Sequence, residues 1–155
     1  MIHLLDDAKK LAIEFTPRRP VWVREIDCGQ GMRRPPSDQT PPKGSGVYVF
    51  RKNERVKYIG LAIGKKGLRR RICGDHISPG KRDTSDFRDK VAAEEGLIDS
   101  EGVIDRVAVL QRMRESYSVV WLEIPKPEMC VLVEKLVIAW AMAENQPLLN
   151  EQGRD

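Results

Sequence analysis

Glu134 has the type and setting that most invite chemistry. It is the only acid in the apolar run from Met129 to Met142, and a carboxylate in such a run is costly unless it is paired or holds a cation. A salt bridge to an arginine is one solution. A hard cation is the other, because Mg²⁺ sites on phosphate-handling enzymes often use one or two carboxylates and leave the remaining shell to water and phosphate oxygens. A second candidate is the basic run Lys65, Lys66, Arg69, Arg70 and Arg71, which no acid interrupts. Such a run is commonly a solvated face. Arginines in it also suit phosphate, since a guanidinium stays charged and presents paired donors. His76 is one of only two histidines, and an imidazole can accept a proton near neutral pH, although a histidine just beyond a helix also serves as a cap. His3 has no supporting context. Tyr48 and Tyr58 each stand near a glycine in a β-like run; either alone reads as a half-buried strand aromatic, and their joint placement weakens that reading.

The elements that must position these residues can be read from periodicity. Leu4, Leu5, Ala8, Leu11, Ala12 and Phe15 fall at helical spacing opposite Asp6, Asp7, Lys9 and Lys10, which predicts an amphipathic helix ended by Thr16-Pro17. Val21 to Ile26 reads as a short strand, with Pro20 at its start. Cys28 to Ser45 holds too many glycines and prolines for an element and reads as a loop carrying Arg33, Arg34 and Lys43. The β-branched and aromatic runs 47–51 and 55–59, joined by Lys52-Asn53-Glu54, predict a hairpin. Leu68 to Ile72 reads as a short helix ended by Gly74, and 84–93 as a helix capped by Thr84 or Ser85 and closed by Gly96. Residues 103–114 read as a helix, Ser116 to Ile124 as a third strand, and the apolar segment after Pro127 as a buried helix.

The 155-residue length fits one core, and 41% hydrophobic with 32% charged residues describes a globular chain rather than a disordered one. No run of about 18 apolar residues is present to span a bilayer, and no signal segment is expected at Met1, so the expected compartment is the cytoplasm, with no membrane partner. The net charge of +4 and pI near 9.0 are compatible with a polyanionic partner, although 23 acids accompany the 27 bases. Three cysteines, Cys28, Cys73 and Cys130, lack both an even count and zinc-type spacing, so reduced thiols are expected.

Taken in order, Gly46-Val47-Tyr48, Tyr58-Ile59-Gly60, Leu68-Arg69-Arg70-Arg71-Ile72, His76, Glu134 and Asn150 resemble the GIY-YIG nuclease superfamily. The resemblance covers residues 46–150 and leaves 1–45 as an N-terminal helix/strand extension and 151–155 as a tail. It implies an α+β fold, a small three-stranded antiparallel sheet flanked by helices. It also implies hydrolysis of a DNA phosphodiester with one Mg²⁺ (or Mn²⁺) per active site. On that resemblance Tyr48 and Tyr58 line the site, Arg71 neutralises charge on the phosphate, Glu134 binds the metal and Asn150 braces the site. Lys65, Lys66, Arg69, Arg70, Arg33, Arg34, Lys81 and Arg82 become DNA-binding candidates, with 84–93 as a helical insertion. The size is similar to that of restriction-type and phage-type members. A repair or recombination nicking nuclease and a non-catalytic nucleic-acid-binding module on the same fold are the alternatives. Cutting both strands with one site per chain implies a homodimer or sequential nicking.

The sequence departs from the family pattern at one place. His76 lies five residues beyond Arg71, where some members carry histidine four beyond, and five steps of an α-helix turn a side chain about 140° away. A helix break at Gly74 would restore the direction. The general base is then Tyr48 as phenolate, with its pKa lowered by Arg71 and the metal and with His76 assisting, or His76 itself.

Overall fold

Val47 and Val49 leave one side of their strand and Tyr48 and Phe50 the other, and all four are buried. A strand covered on both faces belongs in the middle of a layered structure, and β2 (Gly46–Lys52) does lie between two neighbours. The computed structural model describes residues 2–15, 18–28, 38–65, 67–78 and 85–150. It is an α+β fold built on an antiparallel sheet of order β1-β4-β2-β3, with β1 at Val21–Trp22, β3 at Arg55–Ala62 and β4 at Tyr117–Glu123.

The sheet has four strands rather than three. Val21 and Trp22 pair with Val119 and Ser118 on the outer edge of β4, and the chain then leaves the sheet in a 3₁₀ turn at Val23–Glu25, which cuts short the expected strand. On one face α1 (Ile2–Phe15) and α4 (Pro127–Ala143) pack together over Val47, Val49, Val56, Ile59, Val120 and Leu122. On the other face α2 (Asp86–Glu94) and α3 (Arg106–Ser116) help to cover Tyr48, Phe50, Tyr117 and Val119. The N-terminal residues are thus built into both the sheet and the core. Asp105 caps α3 by accepting from Ala108 N–H, which starts the helix at Arg106, later than periodicity alone suggests; Ile104 is spent on a bridge to Ile98.

The hairpin forms as expected. Asn53 and Glu54 both take positive φ, 50° and 66°, the left-handed pair that matches a tight two-residue connection to strand twist. The outer edge of β3 is closed by the C-terminal segment. Gln146 Oε1 accepts from Val56 N–H at 2.8 Å, and the Asn150 amide exchanges two bonds with Ile59, from Ile59 N–H at 2.9 Å and to Ile59 C=O at 2.7 Å. An edge satisfied in this way offers little backbone for strand addition.

Two expectations are corrected here. Cys28 and Cys73 are joined in a disulfide with a Cα–Cα distance of 5.7 Å, so they are not reduced thiols; the fold brings together cysteines whose separation of 45 residues carried no pairing signal. Cys130 is the free, buried thiol, its Sγ donating to Ile124 C=O at 3.3 Å, and burial pushes its pKa up to about 11. The second correction concerns the helix after Gly67. It does not end at Gly74: after Leu68 and Arg69 the chain continues as a π-helix, Arg70–His76. Among the described residues no helix is long and apolar enough to cross a membrane.

Candidate active site

The register of the hairpin sets the first two functional side chains. Tyr48 pairs directly with Gly60, and Phe50 with Tyr58, so both tyrosines lie on the α2/α3 face. A Cβ on Gly60 would collide with the Tyr48 ring. The glycine therefore makes room for the phenol to lie flat across β3. Tyr58 stacks on Phe87 with ring centroids 4.8 Å apart, and Tyr48 and Tyr58 are 6.4 Å apart by the same measure.

Arg71 and His76 are delivered by the π-helix. Its start is held by the strap 41–44: Leu68 N–H donates to Gly44 C=O at 2.8 Å and Arg69 N–H to Pro42 C=O at 2.9 Å. Arg71 N–H still reaches four residues back to Gly67, whereas Ile77 N–H reaches five back, to Ile72, at 3.0 Å. Five-back bonding accommodates more than four residues per turn, so a side chain five positions on returns close to the face of the first. The five-residue interval between Arg71 and His76 is absorbed by a widened turn. His76 Nε2 lies 2.6 Å from the Tyr48 hydroxyl, and Nδ1 lies 2.7 Å from Ser85 Oγ. Arg71 Nη1 donates to Asp75 Oδ2 at 3.0 Å on the same turn.

The electrostatics follow from depth. Tyr48 is 1% exposed and His76 2%. Burial first, and the neighbouring Tyr58 second, raise the Tyr48 pKa above that of an ordinary phenol; Arg71 acts in the opposite direction and is outweighed. With Arg71 as the only cation acting on it, Tyr48 is a neutral phenol, because desolvation exceeds the pull of one guanidinium. Burial, with help from Arg71, lowers His76 to about 3, so its imidazole is neutral. Burial pulls the Arg71 pKa down, but the Asp75 hydrogen bond and nearby Tyr48 more than reverse it.

Glu134 stands half-buried on α4, and burial raises its pKa. Its charge acts on Tyr48 together with those of Arg71 and Asp75, which places these groups within electrostatic reach of one phenol. No hydrogen bond or ion pair to Glu134 is present among the described residues, so the salt bridge considered for it does not form there. A half-buried carboxylate without a protein partner is chemically suited to a hard divalent cation. No cluster of three His, Cys, Asp or Glu side chains that could hold a metal forms among the described residues.

No family model, curated protein or solved structure matches the chain. The site therefore stands on its own geometry.

The remaining sequence candidates divide in four. Lys65 and Arg70 are exposed near the site's helix. Arg69 is half-buried, and its Nε donates to Pro41 C=O at 2.9 Å, so part of its guanidinium holds the strap. Arg33, Arg34, Lys66, Lys81 and Arg82 lie outside the described residues, as does Thr84. Asn150 meets the site through the backbone of β3, between Tyr58 and Gly60. Sequence reasoning missed Asp75 and Ser85 as site residues. Asp75 was visible as an acid four positions after Arg71, and Ser85 was read only as an N-cap, which it also is, accepting from Arg88 N–H at 3.1 Å. A cleft of about 590 Å³ opens on the opposite face between α1, α4 and the hairpin; none of Tyr48, Tyr58, Arg71, His76 or Glu134 lines it.

Proposed function

We propose that the chain is a metal-dependent endonuclease that hydrolyses DNA phosphodiester bonds. The observation that supports this most is that three separate elements, β2, the π-helix and α4, bring together a hydrogen-bonded Tyr48–His76 pair with Arg71 and an unpaired Glu134, both close enough to act on the Tyr48 phenol. A structural core has no need of an unpaired carboxylate there. A cation such as Mg²⁺ or Mn²⁺, held by Glu134 with water and phosphate oxygens, would supply Lewis-acid stabilisation of the leaving oxygen.

The chain's own residues do the rest. Arg71 spends one amino group on Asp75, which fixes the guanidinium, and turns its remaining donors to the non-bridging oxygens as negative charge grows there. The Tyr48 oxygen accepts a proton from water as its own proton passes to His76 Nε2, whose proton affinity, low without DNA, is raised by the negative charge of the bound phosphate. The water oxygen bonds to phosphorus, the bond from phosphorus to the leaving oxygen breaks, and that oxygen takes a proton from solvent. Tyr58, on the same face, lines the site, and Asn150 holds β3 beneath it. Lys65 and Arg70 neutralise phosphates on either side of the cut, which makes binding salt-dependent.

Incubation of supercoiled plasmid with the purified protein tests this reading. Mg²⁺ or Mn²⁺ should produce nicked and linear DNA, and EDTA should stop the reaction; intact plasmid across metals and DNA sequences would overturn it. Discrete fragments would mark a sequence-specific, restriction-type enzyme, whereas scattered or junction-dependent nicks would mark a repair or recombination nuclease.

A further inference from the structure

Ser85 does more than cap a helix. Its Oγ receives the Arg88 N–H at 3.1 Å and lies 2.7 Å from His76 Nδ1, while His76 Nε2 lies 2.6 Å from the Tyr48 hydroxyl. All three side chains are at most 4% exposed, so bulk water is not freely available to substitute for any link. A neutral imidazole carries one proton on two nitrogens, and the tautomer is set by its partners. Two arrangements fit the distances. In one, Tyr48 O–H donates to Nε2 and Nδ1–H donates to Ser85 Oγ. In the other, Ser85 O–H donates to Nδ1 and Nε2–H donates to the Tyr48 oxygen.

The chemistry of the two hydroxyls decides between them. A phenol, with a pKa of about 10, is the more acidic donor, and its oxygen, delocalised into the ring, is the weaker acceptor. An aliphatic hydroxyl is the weaker donor and the better acceptor. The imidazole lone pair is therefore matched to Tyr48 and the imidazole N–H to Ser85. The Ser85 oxygen has two lone pairs, enough for both Arg88 N–H and His76 Nδ1–H.

We propose that Ser85 is a positioning residue that fixes His76 as the Nδ1–H tautomer, leaving the Nε2 lone pair to receive the Tyr48 phenolic proton. Its catalytic consequence rests on the nuclease reading above; the tautomer itself does not. During turnover the water proton goes to the Tyr48 oxygen, the Tyr48 proton goes to Nε2, and Nδ1–H remains on Ser85, so His76 becomes imidazolium. The opposite tautomer has no lone pair on Nε2, and the relay stops at Tyr48.

Long-range ¹H–¹⁵N spectra of the imidazole rings test the assignment directly, and with only two histidines, His3 and His76, the assignment is short. The wild-type protein should show His76 protonated on Nδ1 and bare on Nε2 at neutral pH; an Nε2–H ring overturns the proposal whether or not the protein cuts DNA. Ser85→Gly separates the two roles, because glycine is a well-tolerated N-cap residue but offers His76 no oxygen. Ser85→Gly should mix the tautomers and lower kcat by about 10- to 100-fold, on the scale of the loss when the partner orienting a metal-bound histidine is removed, with KM unchanged. Ser85→Thr should restore both. An unchanged tautomer and kcat in Ser85→Gly overturn the proposal. Should that variant not fold, the wild-type and Ser85→Thr spectra decide. Absence of cleavage by the wild type, with the Nδ1–H tautomer observed, refutes the nuclease reading and leaves the Ser85 assignment standing.

Discussion

Opening the Cys28–Cys73 bond, by reduction or by Cys28→Ser, returns to the unfolded chain the freedom that a closure across 45 residues removes. In the chain-entropy treatment that closure lowers the unfolded-state entropy by 2.1 + 1.5R ln n, about 13 cal/mol/K for this separation, or ~4 kcal/mol at 25 °C. Total stabilities of domains are about 5–15 kcal/mol, so the loss is a large share. At about 2–4 °C per kcal/mol for a chain of this size, Tm should fall by ~8–16 °C. Urea unfolding of oxidised and reduced protein, followed by circular dichroism, measures the difference. Alkylation of the unreduced, denatured protein should label Cys130 alone. Cys73 also lies between Arg71 and His76 on the π-helix, so reduction should lower cleavage along with stability. Oxidised and reduced forms that unfold within about 1 kcal/mol of each other, a quarter of the expected loss, or labelling of all three cysteines before reduction, would refute the reasoning.

Three further outcomes follow from the site. His76 has a folded-state pKa near 3 against 6.5 when unfolded, so the unfolded chain binds the extra proton between those values. Its contribution is complete above about pH 6.5 and falls with acidification by about 1.4 kcal/mol per unit, or ~2 kcal/mol between pH 7 and 5. His76→Gln should flatten that slope in urea titrations, and an unchanged slope would remove His76 as its source. Glu134 titrates higher when folded than unfolded, so its charged form costs stability once pH rises through that raised value. Glu134→Gln should therefore raise Tm at pH 7 while removing cleavage, with the gain disappearing in acid; a lower Tm at pH 7 would contradict the claim that Glu134 lacks a protein partner. Gly60→Ala drives a methyl into the Tyr48 ring and should cost about 1–3 kcal/mol, as overpacking does, together with most of the cleavage. Full stability and activity in the Gly60→Ala variant would show that Tyr48 does not lie over β3.

The hairpin was legible because Val47 to Arg51 and Arg55 to Ile59 are β-branched and aromatic, and because Asn53 suits positive φ. The buried helix was legible from its near-continuous apolar residues. The π-helix was not, since five-back bonding leaves no mark in a periodicity tuned to 3.6 residues. For the same reason the Arg71 to His76 interval read as a defect when the fold makes it fit. The disulfide was hidden because pairing was judged by count and proximity in sequence, whereas Cys28 and Cys73 meet only after the chain has completed the hairpin. The α+β class survived these misses because it rests on the sheet and the two apolar helices. Tyr48, His76 and Ser85 form a chain of contacts that no single sequence interval encodes; the Tyr48–Gly60 pairing could be anticipated only once the hairpin register was known.

The most direct measurement is cleavage of DNA by the wild type and by Glu134→Gln under conditions where both bind the same duplex equally. The account predicts that the wild type cuts in Mg²⁺ and that the Gln variant binds without cutting. Equal cutting by the two proteins, or none by the wild type in either Mg²⁺ or Mn²⁺, would contradict it.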